Sequence, residues 1–509
     1  MSHVLPPAEG INLPGLLLVF AVLLPILGLI AMLGLRALHP ERVARVVAPL
    51  GLLLACAILA EVWEGRSAID YTLGGWAPPL GLKLRADGVS AVMLVLAALV
   101  IGAAALFSQH QFRTPPDAPG DTRAPFAFWS MLMAMWSALN LVFVGEDLFN
   151  FFVALELLTF SAVTLVCLDG RATTLHAALR YLLFALLGSV LYLLGVGLIY
   201  GRYGVLDLAL LSELAQPGPI TLAAVAMMTV GLMAKASLFP LHLWLPPAHA
   251  GAPPAASAVL SALVVKAPFF LILRLWFELL PAPYSPLAGQ LLAALGAAAI
   301  LMCSVVALGQ SRLKLMIAYS TVAQIGYLFL VFTLTAGPAP FAGLGWTGGV
   351  LQLLSHALAK ASMFLAAGLI AEDMGHDRIA DFSGLARRQP LAIFAFGLAG
   401  LSLMGLPPSG GFVAKLMLLS AAAASGQWWI AAVILAGGVL AAGYVFRVIG
   451  AAMKDRDGEA AQPAATLPAT GRHALVLALA LLALALGFVP LQPLALFAIG
   501  RGELAQGQP

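Results

Sequence analysis

The sequence predicts an all-α polytopic membrane protein with about fourteen transmembrane helices. Of its 509 residues, 62% are hydrophobic and only 10% are charged, whereas soluble domains carry roughly 25% charged residues. So few charges cannot cover a water-facing surface of this size, and the excess apolar surface must face lipid. The composition therefore excludes a soluble enzyme, a nucleic-acid-binding protein and a disordered chain.

The predicted spans are apolar runs of about 20 residues, the length at which a helix crosses a bilayer. They lie near 14–35, 46–63, 88–107, 126–145, 148–168, 177–201, 220–244, 255–279, 288–309, 312–335, 346–371, 391–422, 427–452 and 473–497. The first run has no basic segment before it, so we expect it to remain as a span rather than to be cleaved as a signal peptide.

The loop charges predict the orientation, because Lys and Arg concentrate on the cytoplasmic side of a membrane protein. With the N-terminus outside, the inside loops hold fifteen of these residues and the outside segments hold six. We therefore expect both termini outside, in the cytoplasmic (inner) membrane of a bacterium. Between the spans, we expect an external hairpin at 68–85, an interfacial helix at 205–214 and a cytoplasmic linker at 455–465.

Ionisable side chains near the middle of predicted spans are the first functional signal. They comprise one carboxylate, four lysines and a histidine, namely Glu156, Lys235, Lys266, Lys360, Lys415 and His356. A charged residue at mid-membrane costs roughly 2.5–3.5 kcal/mol, so five would cost on the order of 12–18 kcal/mol. This rivals the net stability of a typical domain, about 5–15 kcal/mol. Such residues should therefore pair, line water or face the interior of the helix bundle.

A row of buried lysines with one carboxylate fits a proton relay. Desolvation lowers the pKa of a lysine in general, so a buried lysine can release and regain a proton near neutral pH. The alternative is structural: Glu156 would pair with one lysine as a link between helices, and backbone carbonyls would satisfy the others. The relay is favoured because three cations would otherwise have no counter-ion.

Helix breakers beside two of the lysines give the second signal. Span 7 contains Pro240, with His242 and His249 close to the break, and span 12 contains Pro407 and Pro408. Broken helices at corresponding places in two halves indicate an internal repeat with transport chemistry at the break. The two breaks lie five spans apart, so spans 4–8 and 9–13 would form an inverted repeat. The alternative is two unrelated proline kinks.

Several segments resemble the antiporter-like subunits of Mrp-type cation/proton antiporters, respiratory complex I and energy-converting membrane hydrogenases. The matching segments are GEDLFNFFVALE at 145–156, the stretch 235–266, IAYSTVAQIGY at 317–327, HALAKA at 356–361 and GLPPSGGFVAK at 405–415. The resemblance covers roughly 85–450 and, within the family, is greatest to the D-type subunit of the Mrp antiporters. Two departures are Gln352, where some relatives have a second histidine, and Pro247, which replaces an acidic residue.

The resemblance implies fourteen helices with two inverted five-helix repeats and discontinuous helices 7 and 12. It implies that Glu156 pairs with Lys235, that Lys266 connects the two halves, that His356 and Lys360 are the helix 11 pair and that Lys415 is the terminal lysine. The expected division is 1–125 for helices 1–3 and the hairpin, 126–279 and 288–452 for the repeats, and 453–509 for the linker and helix 14.

Three functions remain open. The first is a proton-translocating subunit of a multisubunit Na⁺/H⁺ antiporter, the second a proton-pumping subunit of a complex I-like dehydrogenase or hydrogenase, and the third a non-conducting scaffold subunit. Other membrane subunits, protons, Na⁺ and the lipid bilayer are the expected partners. No cofactor or metal is expected, because the three cysteines are far apart and no dinucleotide, ATP or haem motif is present.

Overall fold

The computed structural model describes residues 12–34, 39–113, 123–279, 286–336, 341–454, 471–490 and 494–501. Within these residues, twelve helices are long and apolar enough to cross a membrane. The predicted fold class, a polytopic helical membrane protein, is therefore confirmed. The total of fourteen crossings, the inverted repeats and the four-part division stay predictions.

The first part of the chain forms helices and a small two-stranded sheet. The helices are α1 (Leu13–Gly34), α2 (Pro40–Gly65), α3 (Gly88–Ser108), α4 (Arg123–Val144), α5 (Leu148–Val166), α6 (Ala172–Tyr203), α7 (Leu208–Leu214) and α8 (Pro219–Lys235). Strands β1 (Ile69–Thr72) and β2 (Lys83–Ala86) pair antiparallel, with Ile69 opposite Ala86. This confirms the predicted hairpin, and α7 is the short helix expected at 205–214.

The middle of the chain contains the first helix break and two π-helical turns. Its helices are α9 (Leu245–Gly251), α10 (Pro254–Val259), α11 (Lys266–Arg274), α12 (Pro286–Leu308), α13 (Leu313–Phe329), α14 (Val331–Leu334) and α15 (Phe341–Met374). The π-helical turns, Leu260–Val264 and Leu275–Leu279, make α10 and α11 parts of one continuous span.

The last part holds the second break. Its helices are α16 (Leu385–Arg388), α17 (Pro390–Met404), α18 (Gly410–Ala424), α19 (Trp428–Met453) and α20 (Gly471–Ala485). The prediction that span 14 extends to 497 is wrong, because a 3-10 turn ends it at Phe488. Val489 is extended, the conformation that a following proline favours, and Pro490 comes next. The linker at 455–465 and both chain termini lie outside the described residues.

Burial separates lipid-facing helices from central ones. Helices α1, α2, α19 and α20 leave most of their residues partly or fully exposed, as expected for the edge of a bundle in lipid. The α10–α11 span and the most apolar part of α15 are wholly enclosed. Helices α6 and α8 approach closely at two glycines, since a Cβ on Gly231 would lie 2.3 Å from the carbonyl oxygen of Gly188. The enclosed helices are those that carry Lys266, His356 and Lys360.

Candidate functional site

The partly buried carboxylate Glu156 and the first lysine form an ion pair. Lys235 Nζ lies 3.0 Å from Glu156 Oε1 and donates to Thr159 Oγ1 at 2.9 Å. Ser189 on α6 donates a further hydrogen bond to Glu156. The predicted contact between Glu156 and Lys235 is thus confirmed. It joins α5 to the last residue of α8, where the helix break begins.

Lys266 lies at the centre of the bundle, completely inaccessible to solvent. Its ammonium group donates to the main-chain carbonyl of Ser261. The intervening π-helical turn, Leu260–Val264, widens the helix directly before the lysine, and such turns are frequent at functional sites. Among the described residues no carboxylate pairs with Lys266. A neutral oxygen therefore holds this lysine.

A small cavity separates the first ion pair from the span that carries Lys266. It has a volume of about 10 Å³ and is lined by Leu155, Leu158, Thr159, Tyr181, Lys235, Val264 and Pro268. This space is about that of one water molecule. Since a hydroxyl and an ammonium group line it, a water there would extend the hydrogen bonds of Lys235 toward the α10–α11 span.

Polar side chains of α13 form hydrogen bonds that connect the surroundings of Lys266 with those of Lys360. Ser261 and Thr321 share a hydrogen bond of 2.8 Å between their hydroxyls, and Thr321 also bonds the carbonyl of Ile317. That carbonyl accepts from Lys360 Nζ at 3.0 Å, and Lys360 also contacts the Ser320 hydroxyl. The face of α13 toward the bundle centre therefore links two lysines on neighbouring spans.

Lys415 lies at the second break and binds neutral groups as well. Its Nζ donates to the carbonyl of Leu403 at 2.6 Å and lies 4.4 Å from the centre of the Tyr327 ring. The Leu403 carbonyl is available because α17 ends at Met404, and Gly405 follows in a left-handed conformation with φ +79°. Gln324 donates to the same carbonyl at 3.2 Å.

Two buried histidines have free ring nitrogens. His356 lies one helical turn before Lys360, and neither of its ring nitrogens has a hydrogen-bond partner within the described residues. The same is true of His249, whose ring stacks on Phe364 with centroids 4.6 Å apart. His242 is also buried and stacks on Phe239. Gln352, one turn before His356, donates to Gln324 at 2.9 Å.

Both predicted helix breaks are present. The segment 236–244, which contains Pro240 and His242, separates α8 from α9, and 405–409, which contains Pro407 and Pro408, separates α17 from α18. The first break begins directly after Lys235, and the second follows the Leu403 carbonyl that binds Lys415. At the second break, a backbone oxygen freed from the helix thus has a lysine as its partner inside the bundle, where water is scarce.

Sequence reasoning missed the neutral partners of the lysines. A largely apolar span, α13, contains three polar residues spaced about one helical turn apart: Ser320, Thr321 and Gln324. This spacing was the sequence signal that could have indicated the neutral partners of the lysines. Two further basic residues, Lys314 and Arg274, are also buried. Lys314 Nζ donates to the carbonyl of Ala252 at 2.8 Å. No group of three or more His, Cys, Asp or Glu side chains in the described part of the chain could hold a metal ion.

The chain is similar to subunits of two kinds of membrane complex. It is 34% identical to the N-type subunit of the NADH-quinone oxidoreductase of Desulforudis audaxviator, over 77% of this chain and 76% of the relative. It is 29% identical to the D-type subunit of the Na⁺/H⁺ antiporter of Alkalihalophilus pseudofirmus, over 78% of this chain and 79% of the relative. These likenesses do not separate the two kinds of subunit.

One solved structure and one family model point to the same family as these relatives. A chain of the Mrp complex from Dietzia sp. superposes with a TM-score of 0.83 at 25% identity, covering 97% of this chain and 98% of that chain. Residues 145–441 match the family described as NADH:quinone oxidoreductase/Mrp antiporter, TM. The matched segment contains all six of the ionisable residues described above. The protein therefore belongs to the NADH:quinone oxidoreductase/Mrp antiporter transmembrane family.

Proposed function

We propose that this chain is the proton-translocating subunit of a multisubunit Na⁺/H⁺ antiporter in a bacterial cytoplasmic membrane, with both termini outside. The observation that carries the proposal is the set of buried lysines across the bundle centre. Only one of them, Lys235, has a carboxylate partner among the described residues; the other three bind oxygens of the protein. Such groups are costly in a membrane and mark ion pathways.

The proposed path begins at Glu156 and Lys235 and continues through Lys266 and Lys360 to Lys415. Pairing with a carboxylate favours the charged form of Lys235, and a proton that arrives at Glu156 weakens the pair. A neutral amine retains N–H groups, so a lysine bound to a carbonyl keeps its hydrogen bond after it releases a proton. The lysines can therefore gain or lose a proton while their side chains stay in the same positions.

The histidines and breaks complete the proposed path. His356 is one helical turn from Lys360, and neither ring nitrogen has a hydrogen-bond partner in the part of the chain that the structure describes, so it can accept and return a proton. We assign His242 and His249, beside the break at Pro240, to access from one membrane face. The break at Pro407 and Pro408 adjoins Lys415 and provides the corresponding opening in the second half.

The partners are other membrane subunits, as in the multisubunit complex from Dietzia sp.. The second candidate function, a proton-pumping subunit of a redox complex, is favoured by the higher identity to the NADH-quinone oxidoreductase relative. The scaffold alternative also accommodates the observed contacts, since carbonyl oxygens satisfy three lysines. Transport measurements distinguish these three functions.

We expect a Na⁺ gradient alone to drive proton movement in proteoliposomes that contain the intact complex. A pH-sensitive dye inside the vesicles reports the response to a NaCl pulse, with choline chloride as the control salt and no electron donor present. The complex containing Lys266→Ala should give no response. Proton movement that requires an electron donor and ignores Na⁺ would contradict the antiporter assignment and support the redox complex.

A further inference from the structure

Charged side chains form a second buried network at the outer ends of the helices, away from the lysine path. We define the outer ionic cluster as three arginines and three carboxylates: Arg85, Asp87, Glu146, Arg274, Glu278 and Arg501. Five elements contribute to it, since its members come from β2, the turn before α3, the turn before α5, the end of the α10–α11 span and the C-terminal segment. Opposite charges in the cluster are equal in number.

Arg274 and Glu146 form the centre of this cluster. Each is 1% exposed, and their side chains are in direct contact. Arg274 also bonds Glu278 at 2.7 Å and donates to the carbonyl of Gly145 at 3.2 Å. A guanidinium group can hold several acceptors in a fixed geometry because its donors form a planar fork. The contact therefore defines the position of α11 against the turn that begins α5.

The remaining charges stay paired without this contact. Arg501 lies 2.7 Å from Asp87 and 2.6 Å from Glu278, and Arg85 lies 4.0 Å from Asp70. Among the described residues, loss of Arg274 alone would leave Glu146 with the more distant Arg85, at 3.7 Å, as its one basic partner. Removing Arg274 and Glu146 together would cut the link and keep the charges balanced.

The two linked helices carry the first members of the proposed path. Glu146 precedes the start of α5 and lies ten residues before Glu156, while Lys266 and Arg274 are the two ends of α11. At 1.5 Å per residue, the link lies about 12–15 Å from both buried groups. A helix segment of this length is stiff along its axis. A displacement at the contact between Glu146 and Arg274 would therefore move Glu156 relative to Lys266.

We infer that the contact between Glu146 and Arg274 is a positioning device that fixes the height of the Glu156–Lys235 pair relative to Lys266. This inference rests on the proposed function. Proton transfer through hydrogen bonds depends steeply on geometry, and a misplacement of about 1 Å can lower a rate by about 100-fold. Neither side chain of the contact takes part in proton transfer along the path. The contact acts only through the positions of α5 and α11.

The test compares Arg274→Met, Glu146→Gln and the double variant in the intact complex, reconstituted in vesicles. We expect Arg274→Met to assemble poorly because it leaves the buried Glu146 with a distant partner, and Glu146→Gln to assemble better because Arg274 keeps its bond to Glu278. The double variant should assemble like the wild type, transport protons at least about tenfold more slowly and show a shifted pH profile. Arg274→Lys keeps the positive charge, so its proton transport rate should be partly restored relative to that of Arg274→Met.

The control is Arg171→Met with Asp169→Asn, an ion pair that lies within the turn between α5 and α6 and therefore links no two helices. Its rate and pH profile should match the wild type. Wild-type transport by the Arg274→Met/Glu146→Gln variant would overturn the inference, as would its failure to assemble while the control assembles. Normal transport by Lys266→Ala would instead overturn the proposed function, so the two failures are distinguishable.

Discussion

Replacing Lys266 by alanine is expected to lower proton translocation by about 100-fold or more, the scale of losing an acid–base group. Lys266 is completely buried, and its one hydrogen-bond partner within the described residues is the Ser261 carbonyl. It lies between the cavity beside Lys235 and the polar face of α13, so no other ionisable group bridges that interval within the described residues. Proton uptake by vesicles that carry the complete complex measures the effect.

The arginine variant separates titration from charge. Arginine stays protonated throughout this pH range, so Lys266→Arg should also fail although it keeps a positive charge at the same place. Removing a charge from mid-membrane favours insertion, so immunoblots should show normal amounts of the alanine variant in the membrane. Near-wild-type transport by both variants would refute the relay and support the scaffold function.

Replacing Glu156 by glutamine should abolish transport and also destabilise the protein by about 3 kcal/mol, the low end for breaking a buried ion pair. The change leaves Lys235 with Thr159 as its remaining described partner. Thermal unfolding of the detergent-solubilised complex and vesicle transport measure the two effects separately.

A double variant and a hydroxyl variant serve as controls for Glu156→Gln. Adding Lys235→Met removes the unpaired charge, so stability should recover while transport stays absent. Ser189→Ala removes one hydrogen bond to Glu156 and should cost about 1 kcal/mol with transport largely retained. Recovery of transport in the double variant would show that the pair is structural.

The sequence allows the main members of the site to be predicted because charge in a membrane is rare. With one carboxylate among four lysines, the pairing of Glu156 with Lys235 follows from scarcity and from the family resemblance. The breaks near Pro240 and Pro407 follow from the missing amide hydrogen of proline. These signals are local, so they can be recognised without knowledge of the packing.

The other features of the site depend on how the helices pack, so they could not be predicted from the sequence. Hydroxyl groups such as Thr321 are tolerated in many spans, so their presence does not indicate a path. Arg274 and Glu146 lie at helix ends, where a charged residue ordinarily faces water, and only the fold shows that they are buried together. The choice between antiporter and redox pump depends on partner subunits, since both would use the same buried lysines.

The lysine-rich interior also has a consequence for ion selectivity. A monovalent cation about 4 Å from one ammonium group is repelled by about 4 kcal/mol at an effective dielectric constant of 20, and the path presents four lysines against the single carboxylate Glu156. Protons escape this repulsion because they move by changing the charge of the lysines themselves. A sodium ion cannot move in this way, and it would compete with Lys266, Lys360 and Lys415 for the carbonyl oxygens that bind them. We therefore expect the proposed path to favour protons over metal cations, and we expect Na⁺ exchanged by the proposed antiporter to cross through a different subunit.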